Sequence, residues 1–196
     1  TGFLLATGAV YGLGRAITSS FGEAIRFEKE LVKIAQVSNR SVSSLKPLAD
    51  EITRLSTTLG VASSDLVDVS LILAQAGLSA NETRQALDAL AKTTLAATFG
   101  SIQDTTEGAI ALMAQFEISA KDLGKALGAT NAVSAAFAVE SEDIIAAVKR
   151  AGGVFAQTSK GVSSQLDAFN EFIAVFSAVR STTRESAESI ATGLRT

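Results

Sequence analysis

Repeatedly along this chain a serine stands three residues ahead of an acidic side chain, just before an apolar run, as at Ser79 with Glu82, Ser101 with Asp104, and Ser119 with Asp122. That spacing is the capping box, in which the hydroxyl accepts from an amide three residues on and the carboxylate reaches back to the serine's own N–H. A chain with so many helix starts has little room for strands. Between Ala74 and Ser79 a stop and a start fall together: Gly77 suits the left-handed position past a helix end, and Ser79 opens the next helix. A single proline, Pro47, argues against a loop-rich or sandwich fold, which needs turn punctuation every few residues. No segment alternates apolar and polar residues between turn signals. The reading is all-α, with short connections that set neighbouring helices antiparallel.

The first helix carries a pattern of its own. Apolar or small residues recur at three- and four-residue steps through Phe3, Ala6, Val10, Leu13, Ile17, Ser20, Ala24, Phe27, Leu31 and Ile34. A 3.5-residue period held this long is a coiled-coil seam and predicts self-association; the alternative is a long helix packed on its own domain. Arg15, Glu23, Arg26, Glu28, Lys29, Glu30 and Lys33 all avoid the seam. Glycines at 2, 8, 12, 14 and 22 weaken this helix by about 1 kcal/mol each relative to Ala. Gly8 and Gly12, four apart, allow the close backbone approach that would compensate.

After residues 38–41 the seam ends, so residues 1–40 read as an oligomerising amphipathic helix and 41–196 as a bundle of about eight short helices. The expected helices run from Leu45 to Leu59 with Pro47 in the first turn, from Ser63 to Ala76, from Ser79 to about Phe99, and from Ser101 to Glu117. Ser119 opens the next, fading near Phe137, and Ser141 opens one that bends or stops at Gly152–Gly153. Ser163 or Ser164 starts a helix to Arg180, and Thr182 or Thr183 caps the last. Val61–Asp65 and Val139–Asp143 share a Val-x-Ser-x-Asp opening and an apolar run closed by glycine, as either an internal repeat or coincidence would produce.

Chemistry is excluded more readily than assigned. The chain has neither cysteine nor histidine, which removes disulfides, thiolate nucleophiles, Ser-His-Asp triads and the usual zinc ligands. Asp65 with Asp68, and Glu140 with Glu142 and Asp143, are the closest carboxylates, but first helical turns attract acidic residues for electrostatic reasons alone. No catalytic, cofactor-binding or metal-ligating residue is assigned. A net charge of −3 offers no grip on nucleic acid, and Lys149 with Arg150 and Arg180 with Arg184 read as solvated helix positions. The chain opens on Thr1 and still reads as helix at Ile190–Thr196, as a piece of a longer protein would. The uncharged stretch from Thr1 to Gly14 is shorter than the ~20 apolar residues of a membrane span, although it could end a longer one.

With the helices placed, the chain from about residue 15 to 196 resembles the conserved helical region of phage tail tape-measure proteins. The stretches that carry the resemblance are Phe27–Leu31, Leu73–Glu82, Ser141–Ala147 with Gly152, and Thr182–Ser186 leading to Ile190–Thr196. The resemblance implies a structural virion protein, not an enzyme. Such proteins lie as a few copies, trimer or hexamer, in the lumen of the tail tube. They set its length during assembly in the host cytoplasm and leave before DNA ejection. Implied partners are further copies of the chain, tail-tube and baseplate or tail-tip proteins, tail assembly chaperones and the host membrane. At 196 residues this chain would be one domain of such a ruler. Competing classes are a membrane-active helical module, either pore former or secreted effector, and a cytoplasmic helical scaffold.

Overall fold

Apolar side chains three and four residues apart decide which face each helix turns inward, and the computed structural model, which describes residues 25–161 and 163–195, is all-α. Helical residues 25–37 (α1) lead through a 3₁₀ turn, Val42–Leu45, into α2, Lys46–Leu59. Pro47 sits in the first turn of α2, where its missing N–H costs nothing, and Leu48, Ile52 and Leu55 form its buried stripe. Gly60 ends α2 at φ +71°, and α3, Ser63–Gln75, turns back. Gly77 at φ +92° ends α3, and α4, Ala80–Thr93, turns back again with a complete Ser79–Glu82 capping box. Hence α2 and α4 run parallel, bridged at similar heights by Arg54 Nη2 to Asp88 Oδ1 at 2.8 Å.

Helix α4 stops at Thr93 and not near Phe99. The hydroxyls of Thr93 and Thr94 donate to the carbonyls of Leu90 and Ala91, each at 2.7 Å, and the amides of Thr94, Leu95 and Ala96 tighten to carbonyls three residues back. Such hydroxyl competition, together with β-branching, closes a helix that composition alone would extend. Ser101 then caps α5, Ile102–Phe116. The Ser119–Asp122 pair forms at 3.2 Å, but it closes a turn, and α6 runs from Leu123 to Phe137. Gly124 lies against Ala89, 3.7 Å from where a Gly124 Cβ would stand, and further along both segments the Thr98 hydroxyl donates to Asn131, so α6 runs parallel to α4.

The helix opened at Ser141 is split: α7, Ser141–Ala147, widens into π-helical Val148–Gly152 and resumes as α8, Gly153–Thr158. This split makes nine α-helices after residue 40 among the described residues, where about eight were expected. Ser164 caps α9, Gln165–Thr183. Thr182 and Thr183 do not cap the last helix; they lie inside α9, their hydroxyls donating to Ala178 and Val179 carbonyls at 2.8 and 3.0 Å. Arg184 takes the left-handed position at φ 59°, and Ser186 caps α10, Ala187–Gly193.

The core collects apolar residues from every one of these segments except α8. Phe116 meets Phe169 edge-on at 5.4 Å between ring centroids and Phe172 at 5.7 Å, while Phe155 closes on Phe172 at 5.4 Å. Leu31, Ile34 and Ala35 of α1 join the same buried cluster. Packing therefore crosses residue 40, and the last seam positions are occupied by the chain's own bundle. Seam positions Phe3 to Ala24, and the Gly8–Gly12 spacing, lie outside the described residues.

Candidate functional site

The acidic residues singled out by sequence are dispersed by the fold. Asp65 lies in the first turn of α3, with Asp68 one turn further along. Glu140 is the cap residue of α7, but each of its two acidic neighbours is engaged elsewhere. Glu142 Oε1 accepts the Gly100 N–H, and Asp143 Oδ2 pairs with Arg180 Nη2 at 3.1 Å, both side chains about three-quarters buried. The Asp143–Arg180 pair ties α7 to α9 across 37 residues of sequence, and no local spacing announced it. Among the described residues no group of three or more Asp, Glu, His or Cys side chains could hold a metal ion.

The basic residues are likewise separate. Arg150 Nη1 reaches the Glu188 carbonyl and Thr192 hydroxyl at 3.4 Å, and the Lys149 carbonyl accepts from Gln115 Nε2 at 3.1 Å. The widened π turn leaves a carbonyl for that amide to meet. Elsewhere charge serves surface geometry. Hydrogen bonds from the Ser79 side chain and backbone hold the Glu82 carboxyl below the ordinary carboxylate range. Burial raises the Asp88 carboxyl, but Lys92 and Arg54 together outweigh it and bring it below its usual value. Lys125, with Ser119, does the same for Asp122.

What the described residues do assemble is a surface. Parallel α2, α4 and α6 finish at one end of the bundle, where α3, α5 and α7 begin. Residues 93–103 and 126–139 carry no charge, and the Thr98 hydroxyl to Asn131 hydrogen bond holds these two stretches together there. Leu95 is 66% exposed and Phe137 37% exposed, and Ala97, Ala136 and Ala138 of the same two stretches are exposed as well. Sequence reading missed this patch, because Leu95 was expected inside a helix; the signal was the uncharged runs themselves. Among the described residues no helix is long and apolar enough to cross a membrane.

A family model described as phage-related minor tail protein matches residues 49–196, from the first turn of α2 to the end of the chain. The chain belongs to the phage-related minor tail protein family. Neither the curated proteins nor the solved structures yield a significant match. The matched region takes in the α3–α4 hairpin, the start of α7 and α10, which carry three of the four stretches of resemblance noted above. Membership of that family makes the chain a structural component of the tail, associated with the virion and with other tail proteins.

Proposed function

We propose that this chain is a domain of a tail tape-measure protein, packed in the lumen of the tail tube, setting tube length during assembly and leaving before DNA. The observation that carries the reading is the minor tail family match over residues 49–196, together with the order of the tape-measure-like stretches inside it. Small side chains suit confinement in a tube, and a net charge of −3 does not retain passing DNA. Self-association through residues 1–40 fits a few parallel copies, trimer or hexamer. Because Leu31 and Ile34 lie in the chain's own core, that pairing rests on Phe3 to Ala24.

Further partners in this reading are tail-tube and baseplate or tail-tip proteins, assembly chaperones in the host cytoplasm, and the host membrane at ejection. Quantitative mass spectrometry of purified tails tests it. The chain should be present at a few copies per tail and should be lost from particles that have ejected. Its absence from intact tails would refute the reading.

A further inference from the structure

The uncharged end of the bundle has a neighbour in the chain itself. Arg26, Phe27 and Glu30 of α1 line a cleft with Ser56, Ala62 and Ser63, at the end of α2 and start of α3. The chain therefore runs into the described fold at the end that carries Leu95 and Phe137. Ile25, the first described residue, is 52% exposed there. We propose that the apolar patch around Leu95 and Phe137 is the docking surface for residues 1–22 of the same chain.

Three observations favour that occupant. Residues 1–22 hold Phe3, Leu4, Leu5, Val10, Tyr11, Leu13, Ile17 and Phe21 and a single charge, Arg15, so they match an uncharged surface better than water. Acidic residues outnumber basic ones where helices begin at this end: Asp65, Asp104, Glu142 and Asp143 stand in the first turns of α3, α5 and α7, against Arg26, Lys92 and Arg180, the last of these paired with Asp143. A segment whose one charge is positive complements that acidic excess, whereas an anionic lipid surface is repelled by it. Even at the short rise of about 1.5 Å per residue, 22 residues reach about 33 Å, and each helix of the bundle is about 10 Å across, so the segment is long enough to cross the end. Being tethered, it meets the patch at a millimolar-range effective concentration, well above that of a second copy in dilute solution. Docking covers seam residues, so self-association in the tail would proceed by displacing the docked segment.

Limited trypsin digestion of the full 196-residue chain, with cleavage after Arg15 followed by mass spectrometry, tests this. Leu95→Glu and Phe137→Glu should each speed that cleavage tenfold or more, while Val154→Glu, on α8 outside the patch, should not. A nitroxide on Leu95→Cys, clean in a chain without cysteine, should broaden the NMR signals of residues 1–22 even if the Glu variants unfold. Equal cleavage rates in folded variants, or no broadening, would overturn the proposal. So would protection that rises with protein concentration, which marks a second copy, or that requires phosphatidylcholine vesicles, which marks a membrane. None of these failures alters the presence of the chain in tails.

Discussion

The segments opened by Val61 and by Val139 begin alike and end differently. In each, the residue before the serine is extended, Ala62 at φ −59°, ψ 132° and Glu140 at φ −72°, ψ 144°, and the serine is the first helical residue. The first run then continues uninterrupted to Gln75 and reverses at Gly77, where φ is +92° and a Cβ would meet nothing within 4 Å. The second widens after Ala147 and passes straight through Gly152 and Gly153, which keep helical backbone angles. At Gly152 a Cβ would fall 2.6 Å from Gln115 Oε1 and 2.7 Å from Phe116 Cε2. One glycine supplies a backbone angle and the other supplies space. In sequence they look the same.

Substitutions can break or sharpen that contrast. The largest effect belongs to the aromatic cluster beside the through-running segment: Phe172→Ala should cost about 3–5 kcal/mol in chemical denaturation, since Phe172 is fully buried against Phe116 and Phe155. Gly152→Ala should follow at about 1–3 kcal/mol, because the methyl is driven into the Phe116 ring. The same change at Gly77 should cost about 1–2 kcal/mol and leave the Phe cluster's packing untouched, since the penalty is left-handed backbone in open space. Near-ultraviolet dichroism of the phenylalanines separates the two: altered for Gly152→Ala, unaltered for Gly77→Ala.

Smaller still is the cap that restarts the chain after Gly77. Ser79→Ala should lower stability by about 1 kcal/mol through loss of the hydroxyl that accepts the Glu82 N–H at 3.3 Å. The Glu82 carboxyl is held below its ordinary 4.5 by Ser79, so the folded state favours the charged form. That contribution is complete above the unfolded value and is lost as pH falls through the folded one. Melting temperatures of the wild type and Glu82→Gln should therefore differ near neutrality and converge as the solution is acidified below about pH 4.5. A difference independent of pH would mean that the carboxylate is not what holds the cap.

Much of the fold was legible because its signals are local. Ser79 and Ser101 cap helices where serine and a following acid said they would, Ser164 is the one of two adjacent serines that caps α9, and Gly60 and Gly77 reverse the chain. Thr182 and Thr183 misled because a threonine can satisfy either a cap or a carbonyl one turn back, and here α9 continues until Arg184 turns it. The seam on α1 was legible as apolar periodicity. Its partner was not, because burial of Leu31 and Ile34 in the chain's own core uses the same spacing as pairing between chains. The Asp143–Arg180 pair and the Leu95–Phe137 patch arise from tertiary neighbours with no fixed offset, and the only trace in sequence was the pair of uncharged runs.

Tail length measured by electron microscopy tests the tape-measure account most directly. In a phage whose full-length protein has had helical residues deleted in frame outside the region 1–196, tails should shorten by about 1.5 Å for each residue removed. Tails of unaltered length in infectious or assembled particles would contradict it.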